Sequence, residues 1–515
     1  MTISTYSNNQ MQNGQLLAAI DLGSNSFRLE IGVLEHGHIR RVEYLKETVR
    51  QGSGLDADRM LSQEAMQLGW DCLARFSERL SGFGPNFVRA VATQTLREAK
   101  NRDEFLSHAE KLLGFPIEVI SGREEARLIY SGVVNLLPQS EEKRLVVDIG
   151  GRSTEIILGT GFKPQIMESY RVGSVKWSMK YFADGEFSAS AFDWAEVAAK
   201  AVLDEALSLY PKNSWDVAYG SSGTIGAVAD VLQAAGWPEE TISREGLNWL
   251  KDKLIKSGNA DSLRLEGVKE DRKPVIGGGL AVLCALFDLM QIDTMHAAQG
   301  ALRHGVLYDL LQREENTDLR STMVAALGNR FAVDVEQAAR VQKTADTLFK
   351  GVFDKSTCDA TRALRLEKKL GWAAHLLEIG TRISHSDFHK HGAYILDNAD
   401  LPGFSMSELH RLSQLILGHR GKLKKLEIEL KNPEFMIQLM SLRIAAILCH
   451  ARRDPDLRGL SLKIADDNKT GFVIQCKKSW IQQWPQSAHL LSEECIAWQK
   501  TTWQLELVEI NGKTV

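Results

Sequence analysis

Two stretches of this chain are built to one plan, and that plan constrains the fold more than any other feature. LAAIDLGSNSFRLEIGVL (residues 17–34) and LVVDIGGRSTEIILGTG (residues 145–161) each run from apolar residues into an aspartate, a small Gly/Ser loop containing a serine, and a second apolar strand. Asp21 corresponds to Asp148, Gly23 to Gly150 and Ser26 to Ser153. Asp148 follows Asp21 by 127 residues, about one domain, so the spacing predicts duplicated α/β domains rather than a solenoid of short repeats.

The rest of the chain fits around that duplication. FVRAVAT, then LREAKNRDEFLSHAEKLLG, then PIEVI alternate strand, amphipathic helix and strand, the βαβ pattern. WDVAYGSSGTIGAVADVLQAAG repeats it as strand, glycine turn and helix. From about residue 320 to 450 apolar residues recur at helical spacing, which predicts an all-helical domain. SLKIA, TGFVIQC and WQLELVEI predict strands of a small terminal α/β domain. The expected boundaries are a disordered tail at 1–16, α/β domains at 17–137 and 138–312, a helical domain at 313–455 and a terminal domain at 456–515.

With 515 residues, 44% hydrophobic and 25% charged, the chain has several domains' worth of core and is not collagen-like, low-complexity or disordered. Its longest apolar run, Leu280 to Met290, contains Asp288 and falls short of the ~20 residues a spanning helix needs, so no integral membrane segment is expected. MTISTYSNNQMQNGQ has no basic residue and no apolar core, so no signal peptide is expected. Six cysteines (Cys72, Cys284, Cys358, Cys449, Cys476 and Cys495) form no CxxC pair, which argues for a reduced, cytoplasmic protein without a cysteine zinc site. A net charge of −4 supplies no global field for polyanions, so no nucleic-acid partner is expected and an anionic substrate must be gripped by local donors.

The two repeated loops supply such donors. Glycine at a tight turn lets backbone N–H groups converge on an anion, and Ser24, Asn25, Ser26, Ser153 and Thr154 add neutral side chains beside Gly150 and Gly151. Facing loops could clamp one phosphate; two ordinary hairpins are the alternative. Asp21 and Asp148 would repel that phosphate unless a cation lay between them, and Mg2+ accepts one or two carboxylates together with phosphate oxygens. Gly223 and Thr224, in GSSGT at the start of a helix, offer a further anion site. Arg97, in the strand-to-helix turn of ATQTLREA, could pair with phosphate or be solvated.

In PIEVISGREEARLIYSGVV, Ser121 and Glu124 have capping-box spacing, which gives Glu124 a structural task at the helix start. Glu125 has no such task. Its i+3 and i+4 neighbours are Leu128 and Ile129, so it lies on the apolar face. There it could be a general base with its pKa raised by burial, or it could pair with a nearby arginine such as Arg127.

Taken in order, DLGSNSF, ISGREEARLIY, DIGG-x-STE, GSSGT and GALR resemble the bacterial exopolyphosphatase and guanosine pentaphosphate phosphohydrolase family over nearly the whole chain. The resemblance implies duplicated ribonuclease-H-like domains of the actin and sugar-kinase type, an HD-like helical domain and a small α/β terminal domain. It also implies that Glu125 is the catalytic glutamate, that Asp148 and Glu155 belong with Mg2+, and that Arg97 and Arg272 lie near phosphate; Asp21 is counted with the metal acids and Arg303 with the phosphate donors.

Two residues depart from the family pattern: DIGGGSTE is altered at Arg152, and GALREG reads GALRHG, with His304 in place of glutamate. Arg152 could donate to phosphate or be strained if it needs a positive φ, and His304 removes a carboxylate that could position Arg303. The helical stretch lacks adjacent His-Asp ligands, so His385, His389 and His391 are read as a packed or surface cluster rather than a metal site. Arg420, Lys422, Lys424 and Lys425 form the best polyanion track. HKHGAYILDN and LGHRGK look more like the exopolyphosphatase branch, which implies an enzyme that processively hydrolyses inorganic polyphosphate with Mg2+. Guanosine pentaphosphate 5′-phosphohydrolysis is the alternative activity, and a weakened polyphosphate- or nucleotide-binding regulator is the alternative class. A cytoplasmic homodimer is expected, with peripheral attachment to the inner membrane as a further option.

Overall fold

The structure, a computed structural model, describes residues 12–312, 319–353, 360–426, 429–465, 471–499, 501–510 and 513–514. The chain divides into two compact units, one ending at Asp318 and also including Asp400–Ser405, the other made of Leu319–Ala399 and the residues from Met406 onward.

The first unit holds two sheets. Strands β1 (Leu16–Leu22), β2 (Phe27–Glu35), β3 (His38–Glu47), β4 (Val88–Ala92) and β5 (Ile117–Val119) are ordered β3-β2-β1-β4-β5. Strands β6 (Lys143–Ile149), β7 (Thr154–Thr160), β8 (Lys163–Tyr170), β9 (Val217–Ser221), β10 (Thr241–Ser243) and β11 (Thr294–Ala297) are ordered β10-β11-β9-β6-β7-β8. Apart from the added β10, the second order repeats the first: an antiparallel meander of three strands continued by two parallel ones. Both repeated loops are therefore the first hairpin of a sheet, at the same topological place. Of the tail expected at 1–16, residues 1–11 lie outside the described residues, while Gly14 N–H already bonds to Leu34 O and Leu16 opens β1.

One core is shared by the two sheets. Leu17, Ala19 and Val91 of the first and Val146 and Ile157 of the second pack against Leu128, Ile129 and Val133 of the helix Gly122–Val134 and Val306 and Leu310 of the helix Leu302–Gln312. Both helices that carry candidate site residues are thus held by buried apolar surface from each half. A buried ion network adds to this grip: Arg127 binds both Glu124 and Asp309, and Arg89 binds Asp309, Glu118 and Glu124.

In the second unit, helices Leu319–Arg330, Val335–Val352, Ala360–His375, Phe388–Asp397, Met406–Gly418 and Pro433–Leu448 are followed by strands β12 (Leu460–Ile464), β13 (Gly471–Cys476), β14 (Gln504–Glu509) and β15 (Lys513–Thr514). This terminal sheet, expected as a separate domain, belongs to the same compact unit as the helices. Arg443, on Pro433–Leu448, makes a buried bidentate bond at 2.5 and 2.8 Å to Glu494 on the later helix Pro485–Trp498, which lies between β13 and β14 in the chain. Among the described residues no helix is long and apolar enough to cross a membrane.

Candidate active site

The repeated loops meet. A Cβ added to Gly151 would lie 3.0 Å from Ser24 Cβ and 3.6 Å from Asn25 N, so the close approach of the hairpins requires glycine there. Their carbonyls are engaged: Ser24 O accepts Gly52 N–H, Asn25 O accepts Arg50 N–H, and Gly151 O accepts the N–H groups of Val175 and Lys176. Among the described residues, the N–H groups of Ser24, Asn25, Gly151 and Arg152 take no acceptor, the arrangement an oxyanion would complete. Ser24 and Ser26 are buried, with Thr95 donating to Ser24 Oγ at 2.7 Å; Ser153 and Thr154 are buried too, and Thr154 donates to Val172 O.

Beside the loops lies a group of buried acids. Asp21 is opposite Arg28 across β1 and β2 and accepts from its Nη1 at 2.9 Å. Asp148 is opposite Glu155 across β6 and β7. Burial pushes Asp148 up to about 6, with Asp21 adding repulsion against the pull of Ser221, Arg28 and Arg303. Glu155 is raised well above the usual carboxylate range by burial and by the charges of Glu125 and Asp148. Ser169 donates to its Oε1 at 2.7 Å, and its buried Oε2 has no partner.

Glu125 stands on the first turn of Gly122–Val134, whose cap is Ser121, and is 7% exposed. Glu125 is buried, as a place on the apolar face would require, but it does not pair with Arg127. Arg127 sits three residues from Glu124 and binds that carboxylate at 2.7 and 2.8 Å, while Glu125 Oε2 takes Nη1 and Nη2 of Arg97, each at 3.2 Å. Burial, with repulsion from Asp148 and Asp21, raises Glu125 to about 7 although Arg97 pulls the other way. Ser121 Oγ accepts Glu124 N–H as the capping spacing predicts, but the Glu124 carboxylate belongs to the ion network and also accepts Gly403 N–H at 2.6 Å.

Arg97 is further fixed by Ile120 O and Gln94. Arg272 lies over Gly223, where any side chain would run into the guanidinium. Burial and the neighbouring Arg28 lower its pKa, and its nearest carboxylate, Asp271, is 4.0 Å away. Thr224 N–H, expected to face an anion, is capped by Ser222 Oγ at 3.2 Å. Arg152 has no positive φ and therefore no strain of that kind; it binds Glu98 Oε2 at 3.2 Å and Gly52 O at 2.8 Å, joining the second hairpin to the first half of the unit. In the second unit Arg420 and Lys422 are exposed, Arg420 stacking on Phe388 with its Cζ 4.7 Å from the ring centre; the side chains of Lys424 and Lys425 lie outside the described residues.

Arg28 and Glu30 escaped the sequence reading, although both left a signal. The repeat, extended two residues past Ser26, sets Arg28 against Glu155, and Glu30 is an acid set inside the apolar run of β2. Among the described residues no three acids or histidines converge to chelate an ion. The unpartnered Glu155 Oε2 and the raised Asp148 and Glu155 nevertheless fit a hard cation held by one or two carboxylates and completed by phosphate and water, while Asp21 is engaged by Arg28.

Two actin-like α/β halves bring glycine hairpins together beside buried acids and arginines. Residues 32–314 match the Ppx/GppA phosphatase family and residues 319–495 match domain III of Ppx/GppA phosphatases. The chain belongs to the Ppx/GppA phosphatase family. It is 38% identical over 493 residues to a guanosine-5′-triphosphate,3′-diphosphate pyrophosphatase of Pseudoalteromonas translucida, covering 95% of this chain and 97% of that one. It is also 38% identical over 508 residues to the protein of the same name from Aeromonas hydrophila, covering 97% of this chain and 100% of the other. Among solved structures, an exopolyphosphatase-like protein is similar with TM-score 0.52 and 26% identity, over 58% of this chain and 99% of its own. An Aquifex aeolicus member of the Ppx/GppA family shares the fold with TM-score 0.50 and 24% identity, over 59% of this chain and 99% of that one.

Proposed function

We propose that this protein is a guanosine pentaphosphate 5′-phosphohydrolase, releasing the terminal 5′ phosphate as orthophosphate. The observation that carries the choice of substrate is the full-length similarity to the Pseudoalteromonas and Aeromonas pyrophosphatases. The chemistry is supported by Glu125, a buried carboxylate whose pKa of about 7 suits a base at neutral pH.

In this reading the N–H groups of the two hairpins hold the terminal phosphoryl oxygens, and Arg272 and Arg303 supply positive charge. Glu125, oriented by Arg97, takes a proton from water as the water oxygen bonds to phosphorus. The bridging P–O bond breaks, and its electron pair leaves with the shortened nucleotide. Asp148 and Glu155 would hold Mg2+, which when bound offsets phosphate charge.

Long-chain polyphosphate is the second reading, favoured by the exposed Arg420 and Lys422 in the segment LGHRGK. Phosphate release from guanosine pentaphosphate and from long polyphosphate, side by side with and without Mg2+, tests both. A kcat/KM for polyphosphate above that for the nucleotide discards the first reading, and release from neither discards both.

A further inference from the structure

We propose that Glu30 and His304 are positioning residues that set the guanidinium of Arg303 toward an anionic substrate, an inference that rests on the phosphoanhydride reading of the site. Arg303 Nε donates to Glu30 Oε2 at 2.5 Å, and its Cζ lies 4.9 Å from the centre of the Tyr44 ring. Among the described residues neither Nη takes a hydrogen-bond partner, so the outer edge of the fork is left for phosphate. Gly300, three residues before Arg303, accepts from Ser221 Oγ at 2.9 Å, and Ser221 is opposite Asp148 across β6 and β9, so the chain delivers Arg303 beside the acid group of the site.

The support behind Arg303 is continuous. His304 Nε2 lies 3.2 Å from Glu30 Oε1, and His304 Nδ1 accepts the N–H of Ala301 at 3.0 Å. Accepting at Nδ1 fixes the neutral tautomer with its proton on Nε2, where it can donate to Glu30. Backbone N–H, imidazole, carboxylate and guanidinium thus form one line, each bond orienting the next. Its rigid member is Glu30, buried in β2 opposite Tyr44 on β3. Burial works to raise Glu30, but the His304 bond and Arg303 together carry it below the ordinary carboxylate range, so it remains the anion that Arg303 requires.

This geometry accounts for the GALRHG departure. A glutamate at position 304 would set a second carboxylate against Glu30; with His304 there, the acid that holds Arg303 is supplied by the strand instead of the helix.

The test is a double-mutant cycle on the affinity for inorganic tripolyphosphate, measured by calorimetry in a Glu125→Gln background so that turnover does not consume the probe. Glu30→Gln and His304→Leu should each weaken binding by about tenfold while Arg303 is present, and by less than about twofold once Arg303→Met has been made. Equal losses in both backgrounds mean that the pair serves only the fold and overturn the proposal, as does failure of the parent to bind tripolyphosphate. Should Glu30→Gln not fold, His304→Leu, which fills a similar volume without accepting or donating, carries the cycle alone. Phosphate release by the wild type from guanosine pentaphosphate is scored separately, so a failure of the substrate reading is distinct from a failure of the positioning pair.

Discussion

Asp148 and Glu155 face each other across β6 and β7, at the register positions that Asp21 and Arg28 occupy across β1 and β2. One copy of the repeat has become an ion pair at 2.9 Å and the other a pair of buried acids whose pKa values are both raised. The duplicated scaffold thus yields one self-neutralised corner and one in which two buried acids face each other.

Removing the second acid should therefore affect the metal-free and metal-bound protein in opposite ways. Glu155→Gln is expected to raise the Tm of the metal-free protein, since an amide replaces a buried carboxylate with an unpartnered oxygen. The same substitution should abolish the rise in Tm that Mg2+ gives the wild type. Thermal melts with chelator and with Mg2+ check both; an undiminished Mg2+ increment in the variant removes Glu155 from the metal site.

The adjacent glutamates should separate cleanly. Glu125→Gln removes the base while keeping shape, so kcat should fall by roughly 10²–10⁴ with substrate binding retained. Glu124→Gln breaks a buried network in which Arg127, Arg89 and Gly403 N–H share one carboxylate, and should cost about 3–5 kcal/mol. Capping-box spacing alone predicts a loss within about 1 kcal/mol, so urea unfolding decides between the two accounts. Amide exchange offers a local check: Gly403 N–H should exchange faster in Glu124→Gln.

Arg152 ties the second hairpin to Glu98 and Gly52 of the first half rather than straining it. Arg152→Gly and Glu98→Gln should each lower stability by about 1 kcal/mol, and the double variant should lose little more than either single one, because both remove the same contact. Full additivity, or a Tm raised by Arg152→Gly, contradicts this role.

Much of the site was legible because it is repeated or local. The two aspartates, their loops and the inward face that holds Glu125 follow from spacing within a strand or a helix turn. The pairing of the charges was not, because it depends on which elements pack together. Arg97 and Glu125 are 28 residues apart, Arg303 and Glu30 are 273, and Gly403 and Glu124 are 279. Local spacing offered Arg127 to Glu125, whereas packing against Asp309 turned Arg127 toward Glu124. In GSSGT the N–H groups of Thr224 and Ile225 go to Ser222 Oγ, a local bond that the strand-to-helix pattern does not reveal.

His419 makes the second unit sensitive to acid. Its ring is 5% exposed, and its Nδ1 bonds to Ile416 O at 2.6 Å. Burial, with Arg443, His389 and Arg420 adding like charge, lowers its pKa to about 3 against the partial pull of Ile416 O. An unfolded histidine titrates near 6.5, so between about pH 6.5 and 3 the unfolded chain binds a proton that the folded one refuses. Stability is therefore unaffected by this group above pH 6.5 and falls as the pH drops through that window, by about 2 kcal/mol at pH 5. His419→Gln removes the titration, so its urea midpoint should change less than that of the wild type between pH 7.5 and pH 5. Identical shifts in the two proteins would assign the acid sensitivity to other groups.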